Sequence, residues 1–440
     1  MENKIHIFSP ISSTRLNYIL TFIFEEQLGI SFQLYNEKEN FEKQLGLKIN
    51  YSNREKIISD IHILPHYLLF ENEIQMPLIQ LNYWMNEPIF FSTPETNFPF
   101  DIFAASFFLI SRYEEYVSYT PDLYQRFPAE KSVAFQYNFL KKPLVDFWLI
   151  HFKSLLKKIK PEILFKENTF SFTPTYDIDI AYSFKHKGLK RTLGGIFNDF
   201  KEKKYSSIKE RFQVLFFGKK DPYDAFELLN NLDNKYSFSP IYFFLLGKND
   251  VFDKNILPQK KAMQSLIKNI SKKNTIGIHP SYASNDKDTF LQNELEILEK
   301  NCEAKIISSR QHYIRFEMPI TFRKLISLGI LKDYSMGYGS VNGFRASTSN
   351  SFLWFDLLNN ESTKLRLFPF CFMEANSFYE QKQNVVETEI ELDYYLEICK
   401  KVNGNLITIW HNFSLGTEEK WNSWSALYEK FLEKINTLSL

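Results

Sequence analysis

Two aspartates in the segment PTYDID, Asp177 and Asp179, are the first residues whose type and spacing suggest chemistry. They stand two positions apart at the end of a β-type run, so both carboxylates are expected on the same face of a strand. Two like charges this close repel unless a cation neutralises one of them or one binds a proton. A metal-assisted hydrolase uses such a pair as one metal ligand and one general base. The structural alternative is an aspartate pair that caps a loop or a helix.

Three of the eight histidines also close β-type runs, namely His279 in TIGIHPS, His312 in SSRQHY and His411 in TIWHN. Because the carboxyl ends of parallel strands converge on one mouth, we expect these side chains to gather there with the aspartates. One aspartate with two histidines suits Zn²⁺ or a neighbouring first-row metal and leaves positions open for water and a carbonyl oxygen. The third histidine can then protonate a leaving amine. A single buried histidine is more often a hydrogen-bonded core residue, so the combination carries the interpretation.

Arg345 in NGFRAST and Arg310 in SSRQH are the cations expected to face this mouth. An arginine beside Asp177 would keep that carboxylate ionised and oriented. Surface salt bridging is the alternative for both, and it is the favoured interpretation of Arg310. Trp410, next to His411, could stack on a sugar ring or pack behind its strand.

Other catalytic motifs fail on their spacing. The glycines of GYGSVNG, residues 337–343, are one residue away from the dinucleotide fingerprint, and Gly247-Lys248 is followed by Asn249 where a phosphate loop needs Ser or Thr. The sequence contains no G-x-S-x-G elbow. Nucleotide binding and serine hydrolysis are therefore disfavoured.

The segments that contain the aspartates, the histidines and Arg345 resemble the motifs of the polysaccharide deacetylase family. Members of this family are metal-dependent carbohydrate esterases that remove acetyl groups from N-acetylated sugars. TYDID resembles the first motif, T-[FY]-D-D, GIHPS the histidine motif, GFRAST the arginine motif and IWHN the final histidine motif. The matches follow the family's order and cover roughly the C-terminal 270 residues. The front part resembles an uncharacterised domain fused to such deacetylases in Bacteroidetes-type proteins, through the segment FDIFAASFFLISRYEEY.

The resemblance implies a role for each matching residue. The catalytic residues are a general base, an acid and an arginine that orients the base: Asp177, His411 and Arg345. The metal ligands are one aspartate and two histidines: Asp179, His279 and His312. Ser281 braces the metal loop and is grouped with Trp410 as a substrate-binding residue. The cofactor is a divalent cation, with zinc favoured, and the partner is an N-acetylated sugar or glycan.

The sequence departs from the family pattern at two points. The aspartates are separated by Ile178, a variant similar to the T-[HY]-D-[VI]-D form of atypical branches. The usual second histidine a turn after the first is absent, because HPSYAS offers only Ser281 and Ser284. We therefore assign His312 as the second histidine ligand of the metal.

These residues need an α/β framework to position them. Residues 1–100 alternate β-type runs with a helix that Ser13 or Thr14 can cap, which predicts a small α/β domain. Residues 101–165 show apolar residues at spacings of three and four and are interpreted as a helical bridge. Residues 166–440 alternate strands with helices, which is typical of parallel sheets. The resemblance to polysaccharide deacetylases implies that this part folds as an irregular (β/α) barrel with fewer than eight strands.

The composition of the chain limits the classes of molecule that it is expected to bind. The chain has 440 residues, a formal net charge of +1 and three cysteines, which disfavours nucleic-acid binding and a disulfide framework. The sequence predicts no secretory signal and no membrane span, and we expect a cytoplasmic protein. Residues 185–220, however, carry eleven Lys or Arg against three Asp or Glu, a net charge of +8. A solvated helical insertion and an approach surface for an anionic glycan or lipid headgroup both account for this stretch.

Three hypotheses of function stay open at this point. The first is a metal-dependent hydrolase that removes an N-acetyl group from a sugar or glycan precursor. The second is a catalytically silent relative that binds glycan or serves in polysaccharide assembly. The third applies the same chemistry to a small amide outside sugar metabolism.

Overall fold

The structure is a computed structural model that describes residues 3–53, 56–93 and 96–438. The front part is built on a four-stranded parallel sheet with the order β2-β1-β3-β4. Its strands are β1 Lys4–Phe8, β2 Ser31–Tyr35, β3 Leu47–Tyr51 and β4 Ile61–Ile63, its helices are α1 Thr14–Leu20 and α2 Lys38–Glu42, and a hairpin of β5 Asn82–Trp84 and β6 Glu87–Ile89 follows. As predicted, Ser13 caps α1, because its hydroxyl oxygen accepts a hydrogen bond from the Leu16 amide.

The front part ends with residues 101–165, the segment predicted to be a bridge, which packs against both the four-stranded sheet and the back part of the chain. It contains α3 Ile102–Ile110, α4 Val133–Gln136 and α5 Leu144–Ile159. Every residue of α3 is buried. Phe103 of α3 contacts Tyr51 of β3, and Phe107 contacts Phe355 in the back part, with ring centroids 5.2 Å apart in each pair. This helix therefore joins the two parts through a shared core.

The back part contains a nine-stranded sheet with the order β12-β13-β11-β10-β9-β8-β7-β15-β14. The strands are β7 Ser171–Ile178, β8 Ile241–Leu245, β9 Thr275–His279, β10 Ser308–Ser309, β11 Lys332–Asp333, β12 Phe352–Asp356, β13 Glu361–Leu367, β14 Phe372–Met373 and β15 Asn405–His411. The helices are α6 Leu189–Lys201, α7 Tyr205–Phe216, α8 Phe226–Tyr236, α9 Lys261–Ser271, α10 Asp288–Cys302, α11 Ile320–Ser327, α12 Val385–Lys401 and α13 Trp424–Leu438. The sheet is parallel except for the pairing of β12 with β13.

The strand pairing corrects the prediction of a barrel with fewer than eight strands. Neighbouring strands follow a barrel-like order from β7 through β11 to β13 on one side and through β15 to β14 on the other. Within the described residues no ladder joins β13 to β14, so the sheet stays open. The apolar run LRLFPFCFMEA, residues 365–375, is divided between β13 and β14 at this point. Pro369 contributes to the break because it has no N–H to donate to a ladder.

The basic stretch folds as two helices, α6 and α7, inserted between β7 and α8. Across the described ranges, no helix combines the length and apolar character that a bilayer crossing requires.

Candidate metal centre and catalytic site

Parallel pairing brings the ends of several strands to one edge of the sheet. The register pairs Asp177 of β7 with His411 of β15 and Leu245 of β8 with His279 of β9. Asp179 follows β7 directly, and His312 lies in a short turn after β10. The predicted gathering of the aspartates and histidines at this edge is thus what the strand register produces.

Asp179, His279 and His312 form a compact set of donor atoms, which we call the donor cluster. One ligand atom from each residue lies within 4.8 Å of the other two. Asp179 Oδ1 is 3.1 Å from His279 Nε2, and Asp179 Oδ2 is 3.5 Å from His312 Nε2. Asp179 Oδ1 is buried and accepts no hydrogen bond. One carboxylate, two imidazoles and an unused buried oxygen fit a divalent first-row cation such as Zn²⁺.

The Nδ1 atoms of the histidines are bonded to groups outside the donor cluster. His279 Nδ1 contacts the Arg310 carbonyl oxygen, and His312 Nδ1 is 2.7 Å from Asp253 Oδ1. His411 Nδ1 is 2.8 Å from Glu374 Oε1. With Nδ1–H donated outward, each Nε2 is directed to the centre of the site, as metal-binding histidines require.

The carboxylates stabilise positive charge at this centre. Burial alone would raise the pKa of Asp179, but the neighbouring His312 and His411 hold it well below its ordinary value. Burial lowers the pKa of His312, yet Asp179 and Asp253 raise it to about 9. Burial also opposes the charge on His411, but Glu374 and Asp179 raise its pKa well above the usual value. The same field favours a bound cation.

Asp177 lies beside the donor cluster and is held by an arginine. Its Oδ2 is 3.8 Å from His279 Nε2, and its Oδ1 accepts a hydrogen bond of 2.9 Å from Arg310 Nη1. Arg310 is fully buried, donates through Nε to the Tyr334 carbonyl at 3.0 Å, and lies over the Phe243 ring. The guanidinium therefore fixes the orientation of the Asp177 carboxylate.

The prediction that Arg345 orients the base is wrong, and so is the surface interpretation of Arg310. Arg345 is buried, donates to both carboxylate oxygens of Glu115 and to the Gly337 carbonyl, and stacks on Phe316. This ion pair joins the front and back parts of the chain. Arg310 occupies the position that the sequence assigned to Arg345.

The substrate-binding roles of Trp410 and Ser281 are also corrected. Trp410 is fully buried behind β15, where its ring packs on Tyr428 with centroids 4.6 Å apart, so it cannot stack on a sugar. Ser281 is 1% exposed, and its hydroxyl donates to Glu294 Oε1 at 2.5 Å. This bond ties the loop after β9 to α10, which is a bracing contact and not a ligand contact.

Sequence reasoning missed the two carboxylates that orient His312 and His411. Glu374 directly follows β14, so the strand-end rule that selected the histidines could have found it. Asp253 lies in a loop eight residues after the end of β8, and nothing in its local pattern distinguishes it.

A cavity of about 430 Å³ opens onto the site. It is lined by the polar cluster and by aromatic side chains, among them Tyr124, Phe252, Tyr313, Tyr379 and Phe413. Tyr124 and Arg126 come from the front part of the chain. The Tyr124 ring stacks on Tyr313 with centroids 5.0 Å apart, and Arg126 donates to the Tyr313 carbonyl at 3.0 Å. The front part therefore supplies one wall of the cavity.

A model described as a family of unknown function, DUF7033, matches residues 5–161, which include both Tyr124 and Arg126. No curated protein matches the chain.

Several solved structures are similar to part of the chain at low identity. A candidate polysaccharide deacetylase from Mycobacterium smegmatis is 12% identical over 62% of this chain and 85% of that one, with a TM-score of 0.40. A polysaccharide deacetylase from Bacillus cereus is 10% identical over 61% and 88%, with a TM-score of 0.31. A CE4 family pseudoenzyme from Bacillus anthracis is 9% identical over 61% and 63%, with a TM-score of 0.30.

Proposed function

We propose that this protein is a metal-dependent hydrolase that removes the acetyl group from the nitrogen of an N-acetylated sugar or glycan precursor. One observation carries the proposal. The donor cluster is flanked by a carboxylate fixed by an arginine, Asp177 with Arg310, and by an imidazole fixed by a carboxylate, His411 with Glu374. A base, an acid and a cation-binding set in one cavity are the components of amide hydrolysis.

Asp179, His279 and His312 are the residues that would hold the cation, and their oxygen and nitrogen donors suit zinc. When bound, a divalent cation supplies a Lewis acid to the substrate carbonyl and the attacking water.

Asp177 is the general base of the proposed reaction. Its carboxylate accepts a proton from the water that adds to the acetyl carbon, and Arg310 keeps the accepting oxygen in place. Its position beside His279 puts it next to the donor cluster without making it part of that cluster.

His411 is the general acid. Its Nε2 lies 3.4 Å from Asp179 Oδ2, on the cavity side of the ring, and Glu374 holds the opposite nitrogen. Its raised pKa keeps a proton available for the sugar nitrogen as the C–N bond breaks. The products are acetate and the free amine.

The cavity walls support a sugar as the acyl carrier. Sugar rings present apolar faces that stack on aromatic rings, and Tyr124, Tyr313 and Phe413 all line this cavity. Together with the resemblance of TYDID, GIHPS and IWHN to deacetylase motifs, these walls favour a glycan over a small non-sugar amide.

The test measures acetate release from N-acetylglucosamine oligomers by zinc-loaded protein. Asp177→Asn and His411→Gln should each lower kcat by about 10²-fold or more, because each removes one proton-transfer group. Asp356→Asn changes a buried carboxylate that accepts a hydrogen bond from Arg323 and does not line the cavity, and this control should keep its activity. His279→Gln should abolish stoichiometric zinc binding.

Parent-like acetate release by Asp177→Asn and His279→Gln would refute the proposal. If the protein binds zinc and oligomers but releases no acetate, the silent hypothesis replaces it. If it releases acetate only from non-sugar amides, the chemistry stands and the substrate class is wrong.

A further inference from the structure

The helices α6 and α7 expose an apolar face to solvent. We call them, with Phe217, the basic hairpin, residues 189–217. In α6 the apolar residues at positions 189, 193, 197 and 200 follow the spacing of one helix face, and no residue of α6 is buried. Phe197 is 67% exposed and Phe200 62%, while Phe216 is 70% and Phe217 81% exposed. Six phenylalanines of the described residues are at least 39% exposed, and five of them lie in this hairpin.

The hairpin is held together on its other side. Arg211 of α7 is buried and pairs with Asp199 of α6 at 2.5 Å. A Cβ at Gly195 would come within 2.7 Å of the Arg211 guanidinium, so the two helices approach each other closely at this glycine. The Phe212 and Phe216 rings stack with centroids 5.7 Å apart. The exposed aromatic face is therefore presented by a packed unit, not by a disordered segment.

Basic side chains accompany the aromatic residues. Lys190, Lys201, Lys203 and Lys209 are exposed, and none of them forms an ion pair with a carboxylate of the described chain. The surrounding stretch, residues 185–220, carries a net charge of +8 while the whole chain carries +1, so the remaining residues are acidic overall. The positive charge is concentrated where the phenylalanines are exposed.

The hairpin is attached beside the cavity. It follows β7, the strand that carries Asp177, and Arg191 donates to the carbonyls of Lys254 and Asn255 at 2.6 and 2.8 Å. Lys254 lines the cavity. The base of the hairpin and the rim of the cavity are thus parts of one surface.

We propose that the basic hairpin docks this protein on an anionic membrane surface. Aromatic side chains on an amphipathic helix enter the boundary between headgroups and acyl chains, and lysines beside them attract anionic lipids. A protein partner would need an acidic, concave surface to match the same features. A bilayer accepts exposed phenylalanines and lysines without a matching shape, and therefore it is the occupant that we favour. The proposal does not depend on the chemistry of the site.

The experiment is cosedimentation of the full chain with two kinds of vesicles, one of phosphatidylcholine alone and one of phosphatidylcholine and phosphatidylglycerol in equal parts. We expect binding to the phosphatidylglycerol vesicles, and we expect salt to weaken it because the attraction is electrostatic. Each lysine near an anionic surface contributes about fivefold in affinity.

Two pairs of substitutions separate the apolar contribution to vesicle binding from the electrostatic one. Phe197→Ser with Phe200→Ser removes part of the apolar face and should reduce vesicle binding at least tenfold, whereas Phe135→Ser, an exposed phenylalanine of α4, should not. Lys201→Gln with Lys203→Gln should reduce it by about 25-fold. The matched control, Lys272→Gln with Lys273→Gln, changes two exposed lysines after α9 and should bind like the parent.

Circular dichroism and urea titration report whether each variant is folded. If the variant with Phe197→Ser and Phe200→Ser unfolds, the proposal is tested by the variant with Lys201→Gln and Lys203→Gln and by the salt dependence of vesicle binding. The proposal is overturned if the parent stays in the supernatant with phosphatidylglycerol vesicles, or if both lysine pairs weaken binding equally. It is also overturned if the parent is a dimer that fails to bind vesicles and Phe197→Ser with Phe200→Ser makes it monomeric, because a second copy then covers the face.

Discussion

Replacing Arg310 by glutamine distinguishes the arginine that the structure places beside the base from the one that the sequence motif suggested. Arg310 Nη1 lies 2.9 Å from Asp177 Oδ1, and both side chains are at most 2% exposed. Removing one partner of a buried ion pair costs about 3–5 kcal/mol, because the other charge is left uncompensated. Arg310→Gln should therefore lower the free energy of unfolding by this order.

The matched control is Arg345→Gln, which removes the partner of Glu115. That pair is also buried, so the expected loss of stability is similar and stability alone does not separate the two variants. Activity does. Losing a group that orients a catalytic residue costs about 10–100-fold, so kcat for acetate release should fall by this factor in Arg310→Gln and stay near the parent value in Arg345→Gln.

The assay compares kcat per folded, zinc-loaded molecule at a temperature where urea titration shows each variant to be folded. Arg310→Lys keeps the charge but lacks the planar fork that reaches both Asp177 and the Tyr334 carbonyl, so it should recover only part of the loss. A parent-like kcat in folded Arg310→Gln, or a selective loss in Arg345→Gln, would refute the role assigned to Arg310.

Three further predictions concern other parts of the structure. Asp253→Asn should weaken zinc binding by about 10–100-fold in a chelator competition, because His312 loses the carboxylate that orients it. Tyr124→Ala should raise KM for N-acetylglucosamine oligomers by about tenfold with little change in kcat or zinc affinity, and a change in zinc affinity would contradict this placement of the ring. Burial raises the pKa of Asp233 from 3.8 to about 7, against hydrogen bonds from the Tyr176 and Tyr242 hydroxyls. Its contribution to stability is therefore fully present below about pH 4 and is lost as the pH rises through 7, and Asp233→Asn should remove this dependence in urea titrations across that range.

The hydrophobic pattern predicted the strands that carry the site. The runs around TFSFTPTYDID, TIGIHPS and LITIWHN became β7, β9 and β15 with ends within a few residues of the prediction. Buried parallel strands are recognisable because their apolar runs are continuous and bounded by polar residues. Sheet closure depends on which edges meet across the molecule, and the local pattern around Pro369 did not show that the sheet would stay open there.

The arginines show where local pattern fails. The strand before Arg310 has only two residues, so alternation of side chains gave no reliable phase and the residue was assigned to the surface. In the structure Arg310 bonds Asp177, 133 positions away, and Arg345 bonds Glu115, 230 positions away. A motif match locates a residue along the chain, whereas its partner is selected by packing between distant segments.

The front part is involved in the site through the same kind of distant contact. Tyr124 and Arg126 belong to the segment matched by a family of unknown function, yet both contact Tyr313, the residue next to the predicted ligand His312. Since Asp179, His279 and His312 of the donor cluster all lie in the back part, we expect a change in the front wall to alter which glycan binds more than whether metal binds. The two parts of the chain thus divide the proposed reaction, with specificity shared between them and the chemistry confined to the strand ends.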